Sequence, residues 1–476
     1  MDFFSDFSMT IDGAAARTVR QMDVVNPATG TPFSTAPVAE ADDLDRAVAA
    51  ARDALPRWSA FDIDARRAAL IALGDAIDAE CDNFTRLFVA EQGRPAPMAR
   101  HEIMISAQWL RDVAAQELPV QIVEDSPERR VEVHRMPIGV VAAIVPWNLP
   151  VMLSIWKIAP ALLAGNTMVL KPSPYTPLCA LKLGELSRDI LPPGVLNIIS
   201  GEDALGPMMT AHPGFHKISF TGSTATGKRV MEAAGRDLKR VTLELGGNDA
   251  AIVLPDVNIE EVAPQLFFSA FFNSAQACIA TKRLYIHEQI YDELRDRLHA
   301  IAKDTVVGDG AQPGVEYGPL QNAAQFSRVR ALVDDARAHQ LTLLEGRPVP
   351  EQGFFVPITL VDNPPETSAV VAEEAFGPVL PLLKFKDIDD VIARANDSDY
   401  GLGGSVWSSD IALATRIAAR LNTGTVWINS SLECGAHIPF AGAKQSGIGI
   451  ENSEAGLLEF TQSKTILIRK RAPAPL

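Results

Sequence analysis

The sequence predicts an α/β protein built on parallel sheets. Short apolar runs bounded by Gly or Pro alternate with stretches of helical periodicity over most of the 476 residues. Strands that alternate with helices favour parallel pairing through right-handed crossovers. Several of the apolar runs end in a polar residue, and ligands of parallel sheets lie beyond the carboxyl ends of their strands. The length and a 47% hydrophobic composition suggest roughly two or three domains.

The N-terminal part is predicted to be helical after a loose leader. The leader covers residues 1–22, and residues 117–135 alternate in polarity as an extended arm would. Asp42 and Asp43 favour a helix start, because negative charge suits the first turn. The predicted helices of this part are 41–53, 64–81, 84–91 and 99–116.

Two α/β sets follow the arm. The first has strands at 140–145, 168–170, 195–200, 217–220, 241–245 and 251–255, with helices at 156–163, 178–189, 226–234 and 260–273. The second has strands at 342–344, 379–385, 404–407 and 425–429, with helices at 290–303, 323–338, 388–396 and 411–421. Residues 463–471 alternate as an exposed strand. Because a bare edge promotes aggregation, this tail is expected to pair with another element or subunit.

Composition excludes several classes of function. A formal net charge of −16 argues against general binding to nucleic acid or to membrane surfaces. The four cysteines form no CxxC pair and the histidines no HExxH motif, so we predict neither a disulfide framework nor a metal site. The N-terminus lacks a basic region followed by an apolar core, and no apolar run is long enough to span a bilayer. A cytoplasmic location is predicted.

Glu244 and Cys278 are the first candidates for chemistry. Glu244 ends a predicted strand before Gly246 and Gly247, which we expect to supply backbone freedom. Cys278 follows a short loop, where a thiol can be partly exposed and have its pKa lowered by backbone N–H groups. A nearby carboxylate could activate water against whatever the thiol has bound. Taken alone, a Cys in an apolar stretch is more often a core residue.

A glycine-rich stretch, Gly222 to Arg229, nearly matches a nucleotide-binding P-loop. Arg229 replaces the hydroxyl residue that would hold magnesium, so an ATPase is a weak interpretation. A strand-to-helix turn with helix N–H groups facing a phosphate fits better. A plain glycine-rich connector is the remaining alternative.

Eight short motifs carry a resemblance to a known family. They are Pro146-Trp147-Asn148-Leu149-Pro150, Lys171-Pro172-Ser173, Phe220-Thr221-Gly222-Ser223 with Gly227, Glu244-Leu245-Gly246-Gly247, Gln276-Ala277-Cys278, Glu374-Ala375-Phe376-Gly377-Pro378, Asn429, and Pro439-Phe440 with Lys444-Gln445-Ser446-Gly447. In this order and spacing the chain resembles the NAD(P)-dependent aldehyde dehydrogenases over nearly its whole length. Ala275 departs from the family pattern, which usually has Gly there, and implies a stiffer nucleophile loop.

The resemblance implies three parts and an oligomer. They are a Rossmann-like cofactor domain (residues 1–118 and 138–246), an α/β catalytic domain (247–445), and a small β oligomerisation arm (119–137 and 446–476). The arm would join subunits into a homodimer or homotetramer.

The resemblance also implies catalytic roles. Cys278 would attack the aldehyde carbon, Asn148 and the Cys278 backbone N–H would hold the oxyanion, and Glu244 would activate the water that hydrolyses the thioester. Lys157 and Glu451 match a pair linked to proton relay, and an ordinary ion pair is the equal alternative.

The cofactor implied by the resemblance is NAD, with NADP as the alternative. Lys171 would meet the adenosine ribose, Ser223 the pyrophosphate, and Glu374 the nicotinamide ribose. The residues assigned to the cofactor are Ile144, Pro146, Trp147, Lys171, Ser173, Pro174, Gly201, Phe220, Thr221, Gly222, Ser223, Glu244, Leu245, Gly246, Glu374 and Phe376. Pro174 stands where many NAD-selective members carry Glu, which leaves cofactor choice open with NAD favoured.

By the same resemblance, the aldehyde tunnel is lined by Leu149, Leu153, Trp156, Ala277, Ile279, Cys434 and Phe440. The absence of Arg from these positions favours an apolar or aromatic aldehyde over a carboxylated semialdehyde. Two rivals stay open. A CoA-acylating enzyme typically lacks the Glu244 equivalent, and a catalytically silent structural relative would not be expected to keep Cys278, Glu244 and Asn148 together.

Overall fold

The computed structural model describes residues 2–470, which form two large sheets and a three-stranded one, with helices packed around them. The strands are β1 (Met9–Ile11), β2 (Ala14–Ala16), β3 (Gln21–Asn26), β4 (Thr31–Pro37), β5 (Gln121–Asp125), β6 (Arg129–Pro137), β7 (Val140–Ile144), β8 (Thr167–Lys171), β9 (Leu196–Ile198), β10 (Lys217–Thr221), β11 (Arg240–Glu244), β12 (Ala250–Val253), β13 (Arg283–His287), β14 (Thr342–Glu345), β15 (Thr359–Asp362), β16 (Val379–Phe385), β17 (Tyr400–Gly401), β18 (Gly403–Trp407), β19 (Thr425–Ile428), β20 (Ala443–Lys444), β21 (Gly447–Ile448) and β22 (Thr461–Arg469).

The helices are α1 (Ala41–Ser59), α2 (Ile63–Ala79), α3 (Cys81–Gln92), α4 (Ala96–Ala114), α5 (Pro150–Leu163), α6 (Leu178–Ser187), α7 (Leu205–Ala211), α8 (Thr224–Gly235), α9 (Ile259–Phe271), α10 (Tyr291–Asp304), α11 (Ala323–Ala338), α12 (Ala369–Ala372), α13 (Ile388–Asn396), α14 (Ile411–Ala418) and α15 (Ser453–Leu458). A short 3₁₀ turn, Phe272–Ala275, follows α9. None of the helices within residues 2–470 has the length and apolar character needed to cross a membrane.

The first large sheet has the order β2-β1-β9-β8-β7-β10-β11-β21. Its five central strands, in the order β9, β8, β7, β10 and β11, run parallel. β1 pairs antiparallel with β9, and β21 pairs antiparallel with β11. β7 and β8 are buried along their whole length, as strands covered on both faces by helices should be. The prediction of a parallel α/β architecture is therefore confirmed.

The second large sheet has the order β14-β15-β16-β13-β12-β18-β19 and is parallel apart from the edge strand β14. β12 shows why both faces are buried. Ala250 and Ile252 pack into one core, and Ala251 and Val253 pack into the other, because successive strand residues point to opposite faces. The predicted nucleophile loop, which carries Cys278, connects α9 to β13 of this sheet.

The predicted arm and tail form the three-stranded sheet β22-β6-β5. β22 pairs antiparallel with β6 over its full length, from Thr461 opposite Pro137 to Arg469 opposite Arg129. The prediction that the tail pairs with another element is thus confirmed. The part of the predicted arm at 471–476 lies outside the described residues.

The prediction of a loose leader is wrong. β1 pairs with β2 and with β9, so the leader continues the first sheet. Met9 is fully buried, and the ring of Phe3 packs edge-on against Phe84 at 5.0 Å between centroids. Strands of three residues show too little alternation for the sequence to signal them, and the pairing comes from the partner strand.

Candidate active site

Four strands of the first sheet bring residues predicted for the cofactor together at one edge, the edge formed by the carboxyl ends of the strands. Ile144 is paired with Lys171 on one side and with Phe220 on the other, and Thr221 is paired with Glu244. The strand order reverses at β7, with β8 and β9 to one side and β10 and β11 to the other. Open α/β sheets bind ligands at such a switch point.

The turns after these strands hold the other predicted cofactor residues. They are Pro146 and Trp147 after β7, Ser173 and Pro174 after β8, Gly201 after β9, Gly222 and Ser223 after β10, and Leu245 and Gly246 after β11. Ser223 is the N-cap of α8, where its Oγ accepts a hydrogen bond from the backbone N–H of Thr226 at 3.3 Å. The glycine-rich stretch is therefore a strand-to-helix turn, and the free N–H groups of α8 face this edge.

Close packing explains the Gly246-Gly247 pair, and our expectation of special backbone freedom is wrong. Neither glycine has a left-handed φ. A Cβ on Gly246 would collide with the Glu374 carboxylate, and one on Gly247 would lie 2.6 Å from the Cys278 carbonyl oxygen. The Gly247 backbone N–H also donates to Glu374 at 3.0 Å. The two glycines therefore let Glu374 and the Cys278 loop approach the end of β11.

Glu374 and Phe376 belong to the turn before β16 and reach toward the first sheet. The Phe376 ring meets Trp147 edge-on, with 5.5 Å between ring centroids. Glu374 is largely buried, which raises the pKa of its carboxyl group, while Lys282 opposes that rise. The two predicted nicotinamide-side residues thus lie near the strand ends that hold the predicted adenosine-side residues.

The turn before Cys278 has an unusual backbone. Asn273, Ser274 and Ala275 have φ values of 54°, 55° and 62°, the left-handed region that side chains disfavour by roughly 1–2 kcal/mol each. The Ser274 hydroxyl donates to the Gly318 carbonyl at 2.8 Å, and the Gln276 amide donates to the Asn273 carbonyl at 3.0 Å. The sequence predicted only a loop here, since none of these three residue types signals three left-handed residues in succession.

A buried network that the sequence did not reveal holds this turn. Arg94 forms an ion pair with Glu102 at 2.6 Å, and both side chains are buried. Arg94 also donates to Asn273 Oδ1 at 2.9 Å and to the Asn148 carbonyl at 2.7 Å. Asn273 Nδ2 donates to the Asn148 carbonyl at 3.0 Å. Burial lowers the pKa of Arg94 and raises that of Glu102. The network joins α4, the turn after β7 and the nucleophile turn.

Asn148 lies beside the nucleophile loop, as its predicted role requires. Its side-chain N–H₂ group donates to the Gln276 carbonyl at 3.0 Å, two residues before Cys278. The residue is 4% exposed. The amide therefore reaches the loop with its donor group.

The chain places Cys278 and Glu244 close enough to interact electrostatically. Burial raises the pKa of the Cys278 thiol, Lys282 opposes this, and Glu244, Asp249 and Glu374 reinforce it. Burial likewise raises the pKa of Glu244, and the negative charge of Glu451 raises it further. Both Glu244 carboxylate oxygens are buried and have no hydrogen-bond partner among residues 2–470. Cys278 is partly exposed, as the sequence suggested, but the pKa of its thiol is raised and not lowered, because desolvation and three carboxylates outweigh one cation.

Lys157 and Glu451 form a buried ion pair at 2.8 Å next to this site. Lys157 also donates to the Ser219 hydroxyl at 3.0 Å, and Glu451 Oε2 has no hydrogen-bond partner in the described part of the chain. The two members of the pair have opposite effects on Glu244, since Glu451 raises and Lys157 lowers the pKa of its carboxyl group. Within residues 2–470, no group of three or more His, Cys, Asp or Glu side chains could hold a metal ion.

The predicted tunnel residues pack around an aromatic cluster. The Trp156 ring meets Phe440 edge-on at 5.5 Å and stacks on Trp109 at 5.2 Å. Leu153, Trp156 and Phe440 belong to the hydrophobic core around the first large sheet. Packed against this core are Leu149, Ile279, Cys434 and Cys278. Ala277 is buried but lies outside that cluster.

Trp109 and Asn452 are further residues at this cluster that the sequence did not reveal. The Trp109 indole N–H donates to Asn452 Oδ1 at 3.3 Å. Asn452 has a φ of 61°, which places it among the residues with a left-handed backbone. An aromatic residue at helical spacing in α4 gives no signal that distinguishes a tunnel wall from an ordinary core.

Comparison with known proteins identifies the same family in sequence. The model of the aldehyde dehydrogenase family matches residues 14–466. The chain is 38% identical over 470 residues to aldehyde dehydrogenase LUC3 of Fusarium sp, covering 98% of this chain and 100% of LUC3. It is 38% identical over 469 residues to phenylacetaldehyde dehydrogenase of Pseudomonas fluorescens, with 95% and 93% covered. It is 37% identical over 450 residues to glutarate-semialdehyde dehydrogenase of Pseudomonas putida, with 94% of each covered.

Solved structures agree with these relatives. The NAD⁺ complex of an aldehyde dehydrogenase from Bacillus cereus superposes with a TM-score of 0.96 at 32% identity, covering 98% of each chain. A structure of PnpE in complex with nicotinamide adenine dinucleotide gives a TM-score of 0.95 at 36% identity, covering 98% of this chain and 99% of that one. The match extends over both large sheets and the three-stranded sheet.

A methyl group at Gly247 should displace the nucleophile loop. We expect Gly247→Ala to lower kcat/KM at least tenfold, because its Cβ would lie 2.6 Å from the Cys278 carbonyl and 2.8 Å from Asp249 Oδ1, and displacements of ~1 Å can cost ~100-fold. Gly235→Ala is the matched control, since a Cβ there meets nothing within 4 Å. Equal activity of the two variants in a steady-state assay would refute the close-packing argument.

Proposed function

The chain belongs to the aldehyde dehydrogenase family and oxidises an aldehyde, and on this premise we propose the residues and steps by which it does so. The observation that carries the proposal is the convergence of Cys278, Asn148 and Glu244. Asn148 donates to the nucleophile loop, and Glu244 is close enough to raise the pKa of the thiol. The proposed products are the carboxylic acid and NADH.

The strand ends of the first sheet fit a dinucleotide. Lys171 is buried, and burial lowers the pKa of its ammonium group to about 8. Ser223 begins a helix whose free N–H groups suit a pyrophosphate. Gly246 lacks the side chain that would exclude Glu374 from this edge. We therefore assign Lys171, Ser223 and Glu374 to NAD, which accepts a hydride when bound.

In the proposed mechanism Cys278 acts first. Its thiolate attacks the aldehyde carbon, and the oxyanion of the thiohemiacetal accepts hydrogen bonds from Asn148 Nδ2 and the Cys278 backbone N–H. NAD held by Lys171, Ser223 and Glu374 would supply the hydride acceptor, and the acyl group would then remain on Cys278 as a thioester. Glu244 then takes a proton from water, which attacks the thioester and frees the thiol. Lys157 and Glu451 are assigned to moving that proton away from Glu244.

Two rivals are less well supported. A CoA-acylating enzyme has no need of a base for water, whereas Glu244 is buried and makes no hydrogen bond with the described residues that would give it a structural role. A silent structural relative would not need the strained turn before Cys278, which costs free energy that a purely structural loop gains nothing from.

For the substrate we propose an apolar or aromatic aldehyde. The supporting observation is the aromatic wall of Trp156, Trp109 and Phe440, with aliphatic side chains beside it. An aryl aldehyde would add a further ring to these edge-to-face and stacked contacts. The relatives act on both kinds of aldehyde by name, phenylacetaldehyde and a semialdehyde. The wall of this chain favours the first kind.

We also propose that the chain divides into three parts. They are a cofactor domain (1–118, 138–246), a catalytic domain (247–445) and an arm (119–137, 446–476). The arm exposes apolar side chains, including Val123 and Leu467 at 59% each. Such exposure supports burial against a second copy of the chain, in a homodimer or homotetramer. A thiol nucleophile must stay reduced, which favours the cytoplasm as its location.

The proposed reaction is tested by following NADH formation with a panel of aldehydes, with and without CoA. We expect turnover with aryl and alkyl aldehydes and no dependence on CoA. Activity that requires CoA would assign the chain to the acylating class instead.

Glu244→Gln should separate the two half-reactions. A neutral amide cannot take a proton from water, so rapid mixing should show a burst of NADH followed by a slow steady state. In the unaltered enzyme the raised pKa of Glu244 keeps the base protonated to higher pH than usual, so the steady-state rate should rise with pH. The Glu244→Gln profile should lack that rise. Equal losses in burst and steady state would move Glu244 to thiol activation.

Cofactor preference should depend on Asp203, which the sequence did not single out. Asp203 lies between β9 and α7, and its charge acts on both Lys171 and Tyr175, so we assign it to the adenosine end. A carboxylate there repels a 2′-phosphate, so Asp203→Asn should raise kcat/KM for NADP relative to NAD by about tenfold, the effect of ~1.4 kcal/mol. Glu202→Gln is the control, because Glu202 pairs with Arg20. If both variants leave the ratio unchanged, selection lies elsewhere.

A further inference from the structure

We propose that Lys282 is a positioning residue that couples the nucleophile loop to the cofactor carboxylate, holding the Cys278 peptide with its ammonium group and supplying positive charge to both Cys278 and Glu374. The inference rests on the proposed roles of Cys278 and Glu374. It adds a residue that neither the sequence motifs nor the comparisons assign.

The contacts of Lys282 are unusual for a lysine. Its side chain is 5% exposed, and its Nζ donates to the carbonyl oxygens of Ala277 at 3.0 Å, Cys278 at 2.6 Å and Ala280 at 3.2 Å. An ammonium group has three donors, so these three bonds use all of them. Lys282 thereby links three carbonyl groups of the loop that carries Cys278.

The same ammonium group acts on acidic side chains from two other segments, the turn before β16 and the start of β12. Glu374 Oε1 lies 3.7 Å from Lys282 Nζ, and the charge of Lys282 also acts on Asp249. Asp249 accepts from the Gly403 backbone N–H at 3.1 Å through Oδ1, and its buried Oδ2 has no hydrogen-bond partner among the residues that the structure describes. Burial raises the pKa of Asp249 to about 6.

Charge balance gives Lys282 its role. The carboxylates of Glu244, Asp249 and Glu374 all disfavour the thiolate of Cys278, and Lys282 favours it. Lys282 likewise favours the ionised form of Glu374 against burial. An ionised Glu374 is the stronger acceptor for a ribose hydroxyl. One cation therefore supports the attacking form of the nucleophile and the binding form of the cofactor carboxylate.

Three variants separate charge from shape. Lys282→Gln keeps donors but loses the charge, Lys282→Met loses both, and Lys282→Arg keeps the charge. We would measure the rate of alkylation of the Cys278 peptide by iodoacetamide against pH, using mass spectrometry so that Cys434 is counted separately. NAD affinity would be measured by titration of the same proteins.

We expect Lys282→Gln and Lys282→Met to move the alkylation midpoint up by about one pH unit, and Lys282→Arg to restore it in large part. NAD dissociation constants should rise about fivefold in the two uncharged variants, as weakening of one bond to a charged group implies. Lys239→Met is the matched control, since Lys239 is also buried but bonds to Thr210 and Asp237.

A normal alkylation profile in Lys282→Gln would overturn the inference, and so would the same shift in Lys239→Met. Cys278→Ala keeps the two levels of the account apart. If Cys278→Ala abolishes turnover while the Lys282 variants alter neither quantity, the proposed function stands and the role of Lys282 falls. Full turnover by Cys278→Ala would remove the premise of both.

Discussion

The buried ion pair between Arg94 and Glu102 is the interaction on which the site depends. Arg94 also donates to the Asn148 carbonyl and to Asn273 Oδ1, and Glu102 Oε1 accepts from the backbone N–H groups of Val151 and Met152 at the start of α5. Breaking one partner of such a pair costs about 3–5 kcal/mol, because a charge is left buried alone. The pair therefore fixes Asn148 and the turn before Cys278 relative to each other, although the first follows a strand of one large sheet and the second precedes a strand of the other.

Desolvation sets the electrostatics of the site and lowers its stability. Burial raises the pKa values of Glu244, Glu374 and Asp249. A carboxyl group with a raised folded-state pKa binds its proton more tightly in the folded chain. Its contribution to stability is therefore lost as pH rises, for Asp249 between its ordinary 3.8 and about 6. The chain tolerates this cost because the same desolvation makes Glu244 a stronger base once ionised.

Sequence patterns predicted the elements that carry the site, but not the interactions within it. β7, β8, β10 and β11 were predictable because buried parallel strands are continuous apolar runs, and their last residues lie in one row. The three-residue strands β1 and β2 were missed, since their pairing depends on β9. The left-handed turn at Asn273, the stack of Trp109 on Trp156 and the charges around Cys278 arise from contacts between distant segments. The family resemblance implied the roles of Cys278, Glu244 and Asn148, while their surroundings follow only from the folded chain.

The central claim is that the aldehyde carbon becomes bonded to Cys278 and that Glu244 releases it. The most direct measurement is the mass of the Cys278 peptide after Glu244→Gln is mixed with an aryl aldehyde and NAD and quenched in acid within the burst. The account predicts that this peptide gains the mass of the acyl group, in proportion to the NADH formed. An unmodified Cys278 peptide beside stoichiometric NADH, or an acyl group found on Cys434 instead, would contradict it.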